Sequence, residues 1–167
     1  ASMSLFSLAG KVAIVTGSSR GIGRAIAHRL AEHGARVVIS SRKADACAAV
    51  RDEINRAQGD GAAISIPANI SSKHELKHLV DQTNEQLGRI DVVVCNAASN
   101  PHFGPLSSIE DDQFRKILEN NVIANHWLIN FAVPQMIERK DGSIIIVSAI
   151  GGLRRSPAIG AYNSLKA

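Results

Sequence analysis

The chain has 167 residues, 45% of them hydrophobic and 20% charged, without repeats or low-complexity stretches; this suits one domain with a buried core. A net charge of +4 and a pI near 9.4 suit an anionic ligand, but Lys and Arg are scattered among acids and aromatics reach only 4%, which argues against a nucleic-acid partner. Cys47 and Cys95 show no disulfide or metal spacing, and no secretory signal or membrane-long apolar run is visible, so the expectation is a cytoplasmic protein with no membrane partner.

Residues 1–7 read as a frayed terminus. Residues 11–15 are too short for a helix and β-branched enough for a buried parallel strand. Thr16-Gly17-Ser18-Ser19-Arg20-Gly21-Ile22-Gly23 follows. Next come a helix over 24–34, with Ile26 and Leu30 four apart and Gly34 as its stop, and a strand over 36–40. Strand, glycine turn, helix and strand form half of a nucleotide-binding unit. A side chain at the glycines would block the backbone's approach to a pyrophosphate, and the helix N-terminus offers free N–H groups and a positive dipole end. At the end of the second strand an acid would hold the 2′-hydroxyl of NAD, whereas a base accommodates a 2′-phosphate. Ser41 stands where that acid would be, Arg42 follows it, and Arg20 lies in the glycine loop. This favours NADP(H); the other reading is that both arginines are solvated surface charges.

The glycine spacing is T-G-x-x-x-G-x-G, not G-x-G-x-x-G, and in it the sequence resembles the short-chain dehydrogenase/reductase family, in its classical NADP-preferring form. The resemblance implies an α/β fold: a Rossmann-type doubly wound parallel sheet with helices on both faces. It also implies cofactor contacts from Gly17, Ser19, Arg20, Gly21, Ile22, Gly23, Ser41 and Arg42.

The alternation continues. Ala46, Val50, Ile54 and Ala57 have helical spacing over 44–58, a strand covers 62–67, and Ser72 with Glu75 predicts a capping box for a helix ending near Leu87. After the third strand the family places an acid and a small apolar residue against the adenine; this chain has Asn69 and Ile70, and an amide can still bond an adenine edge. A fourth strand over 90–95 leads to Asn96-Ala97-Ala98, where the family reads N-N-A-G and lines the cofactor; Ala98 replaces the glycine. His102 and Phe103, in a loop at the carboxyl end of that strand, are candidates for substrate contact, a plain surface loop being the other reading. A long helix is expected over 111–139, kinked or broken at Pro134. In the family this helix builds a subunit interface, implying a homodimer or homotetramer. The fifth strand, 142–147, is the most apolar.

Tyr162 and Lys166 are four apart, one helical turn, on one face. A phenol's reference pKa is about 10, and a neighbouring ammonium lowers it, so the tyrosine could exchange a proton with a substrate oxygen. The resemblance makes Tyr162 the acid/base and Lys166 its activator and ribose contact. It makes Asn121, rather than Asn120, the holder of a relay water. A serine at the fifth strand's end would steady the substrate carbonyl. Ser148 is the candidate, but the family's spacing of thirteen falls on Ala149, and Ser148 stands fourteen before Tyr162. The activity implied is hydride transfer between NADP(H) and a small-molecule carbonyl or secondary alcohol. The alternative is a nucleotide-binding module without turnover. Since the family's domain continues past that lysine, the 167 residues are expected to be part of a longer enzyme.

Overall fold

The computed structural model describes residues 5–153 and 159–166. Five parallel strands, β1 (Val12–Thr16), β2 (Arg36–Ser40), β3 (Ala63–Ser65), β4 (Val92–Cys95) and β5 (Ser143–Ile146), lie in the order β3-β2-β1-β4-β5. β1 is central because its five residues are all buried, and only a strand apolar on both faces can lie between two helical layers. Helices α1 (Gly21–Glu32) and α2 (Ala44–Gln58) cover one face: Ala27, Ala31, Val50 and Ile54 pack on Ala13, Val15, Val37 and Ile39. Helices α3 (Lys73–Leu87) and α5 (Ala124–Arg139) cover the other, where Leu76, Leu79, Leu128 and Ala132 meet Val12, Ile14, Val38 and Val93. The fold is the expected doubly wound sheet, and its order reverses between β1 and β4, where such sheets open a crevice at their carboxyl ends.

The expected frayed terminus falls, for residues 1–4, outside the described residues; Leu5 and Phe6 are exposed. The capping box before α3 forms by half. Ser72 Oγ accepts from the Glu75 N–H at 3.2 Å, but the Glu75 carboxylate takes the Asn69 N–H at 2.8 Å instead of that of Ser72. The long helix starts with α4 (Asp111–Leu118), widens into a π-turn at Glu119–Ile123, and continues as α5 through Pro134. Pro134 therefore does not break it: the proline lies on the exposed side, where water can satisfy the carbonyl deprived of its donor. β5 forms the sheet edge, with Ile144, Ile145 and Ile146 38%, 45% and 56% exposed.

Candidate active site

The glycine loop is held from beneath by two hydroxyls, one on the threonine that opens the T-G-x-x-x-G-x-G motif and one on Ser18 within it. The Thr16 hydroxyl accepts from the N–H groups of Asn96 and Ala97 at 3.0 and 3.1 Å. The buried Ser18 hydroxyl donates to Val15 O at 2.7 Å and accepts from the Ser40 N–H at 2.9 Å. The Asn96 amide donates to Thr16 O and Gly17 O at 2.9 and 3.2 Å, tying β4 to the loop after β1. Two glycines have specific reasons. Gly17 adopts φ +65°, and a Cβ on Gly23 would lie 2.4 Å from Gly17 O and 2.5 Å from Asn96 Nδ2. Among the described residues no side chain caps the start of α1, where Gly21 and Ile22 are exposed and Arg20 is the preceding residue. That leaves first-turn N–H groups and the dipole's positive end facing open space, which fits a dinucleotide's pyrophosphate. Ser19 is half-buried in the same turn.

At the end of β2 the Ser41 carbonyl accepts from the Ala68 N–H at 3.1 Å, and its hydroxyl lies 3.1 Å from Cys47 Sγ. Arg42 and Arg20 are exposed, and neither pairs with a carboxylate among the described residues. The segment after β3 carries half-buried Asn69 and Ile70 beside Ser41. After β4, Ala97 is half-buried and Ala98 exposed.

The π-turn has a visible consequence. Consecutive residues of an α-helix point about 100° apart, yet both Asn120 and Asn121 are buried here, 5% and 4% exposed. Asn121 pairs its amide with the backbone of Ser99, accepting from its N–H at 3.0 Å and donating to its carbonyl at 2.9 Å. Asn120 bridges two loops: Ser71 Oγ donates to it at 2.6 Å, and its Nδ2 donates to Ser99 Oγ at 2.8 Å. Ser18, Ser71 and Ser99 escape sequence reasoning, since a lone hydroxyl carries no periodic signal. The Asn-Asn pair was the single available hint.

Helix α6 (Gly160–Ser164) carries Tyr162 but ends before Lys166, so the expected one-turn helical pair is corrected: Lys166 sits in a following turn closed by its N–H onto Asn163 O at 3.2 Å. Its ammonium nevertheless lies 5.8 Å from the centre of the Tyr162 ring, and donates to Val147 O at 2.9 Å. Burial holds the Lys166 pKa below the ordinary lysine value, with the Cys95 thiol opposing. Burial also pushes the Cys95 thiol up to about 11, so it stands behind the lysine as a neutral group. Tyr162 is half-buried. The Ser148 hydroxyl donates to the Lys166 carbonyl, and Ala149 beside it has no hydroxyl. The loop after β4 reaches the same region through a bridge between Gly104 and Ile159. In that loop His102 Nε2 lies 3.2 Å from Ser108 Oγ, and Phe103 is 83% exposed. Lysine and tyrosine are thus brought together, whereas Asn121 and Ser148 have side chains engaged by backbone groups.

Comparison with known proteins matches residues 11–167 to the family model described as short chain dehydrogenase. "Dehydrogenase/reductase SDR family member 4" of Rattus norvegicus is 40% identical over 164 residues, 95% of this chain and 56% of the relative. "Tropinone reductase-like 3" of Erythroxylum coca is 38% identical over 158 residues, 94% of this chain and 59% of the relative. The chain therefore spans little more than half the length of these curated relatives. Among solved structures, a metagenomic short-chain oxidoreductase in complex with NADP superposes with a TM-score of 0.88 at 35% identity, covering 95% of this chain and 71% of the other. A 7α-hydroxysteroid dehydrogenase complexed with NADH and 7-oxo glycochenodeoxycholic acid gives 0.90 at 33% identity, covering 96% of this chain and 62% of the other. Among the described residues no helix is long and apolar enough to cross a membrane, and no cluster of metal-ligating side chains occurs.

Proposed function

The chain belongs to the short-chain dehydrogenase family, and from that premise we propose that it serves an oxidoreductase moving a hydride between NADP(H) and a small-molecule carbonyl or secondary alcohol. The observation that carries this reading is the Lys166 ammonium 5.8 Å from the Tyr162 ring, at the carboxyl end of a sheet whose first turn is an open glycine cradle.

Gly17, Ser19, Gly21, Ile22 and Gly23 would hold the pyrophosphate. Ser41, Arg42 and Arg20 would hold the 2′-phosphate; two guanidiniums without carboxylate partners among the described residues support NADP over NAD. Asn69 and Ile70 would face the base, Asn96, Ala97 and Ala98 the inner half, and Lys166 the ribose. When bound, the dinucleotide supplies the hydride donor or acceptor. Tyr162 would give or take the proton at the substrate oxygen, with the Lys166 ammonium 5.8 Å from the centre of its ring. Asn121, whose amide is occupied by Ser99 and whose carbonyl already accepts from Asn125 Nδ2 at 2.9 Å, would hold the relay water through the second lone pair of that carbonyl. Ser148 would meet the substrate oxygen on release from the Lys166 carbonyl. Assembly as a homodimer or homotetramer, in the cytoplasm, belongs to the same reading. The exposed Val122 and Ile137 on the helical run support a subunit contact there.

A second reading, binding without turnover, is favoured by one observation: neither Ser148 nor Ala149 presents a free hydroxyl. The test is Tyr162→Phe, measured by NADPH oxidation over a ketone panel and by nicotinamide fluorescence titration. Proton catalysis by the phenol predicts a fall of about 10²-fold or more in kcat with cofactor affinity held within about threefold. Unchanged turnover would refute the assignment, and tight binding with no turnover in the natural protein would select the second reading.

A further inference from the structure

Asn120 joins two loops that the sheet itself leaves apart. One follows β3 and carries Ser71; the other follows β4 and carries Ser99. β3 and β4 stand three positions apart in the sheet, about 14 Å, so strand pairing does not fix how closely these loops approach. Among the described residues no hydrogen bond runs directly between residues 66–72 and 96–104; the link is the Asn120 amide, which accepts from Ser71 Oγ at 2.6 Å and donates to Ser99 Oγ at 2.8 Å. Both serines are half-buried, and Asn120 is 5% exposed. Its base is firm: the π-turn that carries it is flanked by Ile117 and Ala124, both buried in the core. Apolar side chains fill that interior, and a buried amide there is costly unless both its ends are paired, as they are by hydroxyls from the two loops.

We propose that Asn120 is a positioning residue for the cofactor, holding the loops after β3 and β4 at the separation a dinucleotide has to span. This rests on the reading that those loops face the cofactor's two halves, the adenosine half at Asn69 and Ile70 and the inner half at Asn96, Ala97 and Ala98. A ligand gripped at both ends by loops already at the right spacing loses less free energy to ordering them on binding. A ligand gripped at one end gains nothing from the spacing. The amide therefore contributes to affinity for the whole dinucleotide and not to affinity for its adenosine half.

Asn120→Leu keeps the shape of the side chain and removes both hydrogen bonds. Calorimetric titration with NADPH and with 2′,5′-ADP, which carries the adenosine half alone, gives two Kd values. In N120L, checked for folding by its thermal transition, NADPH is expected to weaken about tenfold, the scale of one lost hydrogen bond, with 2′,5′-ADP within about twofold of its value in the natural protein. Two milder variants cut the same bridge from its ends should leucine prevent folding. Ser71→Ala, Ser99→Ala and the two together are each expected to weaken NADPH by that same factor of about ten, because the second cut removes nothing the first has left. Equal weakening of NADPH and 2′,5′-ADP, no weakening of either, or a double-serine variant that loses the product of the two single effects overturns the proposal. A natural protein that binds neither ligand overturns the cofactor reading itself, and the proposal with it.

Discussion

Replacing Gly23 with alanine sets two effects of opposite sign against each other. Gly23 lies in the first turn of α1 without a positive φ, so helix propensity alone favours alanine there by about 1 kcal/mol. Against this, the new Cβ would lie 2.4 Å from Gly17 O, 2.9 Å from Gly17 C and 2.5 Å from Asn96 Nδ2. None of these atoms is the free end of a flexible chain. Gly17 is backbone, and the Asn96 amide is held at 2.9 and 3.2 Å by the carbonyls it caps. Relief requires α1 to move off the loop, with an overpacking cost of about 1–3 kcal/mol, or the Asn96 amide to leave its carbonyls, at about 1–3 kcal/mol for the orphaned groups. After subtracting the propensity gain, a loss of up to about 2 kcal/mol remains. With a urea m-value near 2 kcal/mol/M, the unfolding midpoint should fall by up to roughly 1 M. The control is Gly21→Ala, where φ is +55° and nothing among the described residues lies within 4 Å of the added Cβ. Its stability loss should be about 1 kcal/mol, from backbone conformation alone. A G23A midpoint equal to or above that of the natural protein would refute the steric account of this glycine.

Two further predictions concern groups outside the cleft. Asp91 is 2% exposed and accepts from the Val12 N–H at 2.9 Å and from the Arg89 guanidinium. Asp91→Ala should therefore destabilise by about 2 kcal/mol, chiefly by orphaning a buried N–H at the start of the central strand, whereas Asp91→Asn, which keeps an acceptor, should cost about half as much; equal losses in urea titration would show that the N–H is not the cause. Cys95 supplies a pH dependence. Its folded pKa, about 11 against an ordinary 9.0, means that the folded state binds the proton more tightly, so stability falls as pH rises from about 9 to 11. The depressed Lys166 works the other way, raising stability with pH below 10.5, so the comparison must be made against Cys95→Ala. The variant's alkaline profile should be flatter by on the order of 2 kcal/mol across that window, and parallel profiles would remove the thiol from the argument.

What could be read from the sequence alone was whatever repeats along the chain or is punctuated within a few residues. β2 and α2 fall where alternation, helical spacing and the glycines after Gln58 put them. The thread of short apolar strands and amphipathic helices dictates a parallel sheet with two helical layers, because each strand's hydrophobic run needs cover on both faces. The glycine loop announced itself by spacing. Tertiary structure alone decided how that loop is held: Asn96 and Thr16, whose side chains lock it, stand 80 positions apart. It also decided that both Asn120 and Asn121 turn inward, because a π-turn has no sequence period, and that the helix runs on through Pro134, because Pro134 and Asn130, whose carbonyl loses its donor, both lie on the exposed side. Lys166 reaches Tyr162 from a turn rather than along a helix, set by its contact with Val147. Local periodicity reports which face is apolar, whereas the partner of a buried donor depends on segments that meet only after folding.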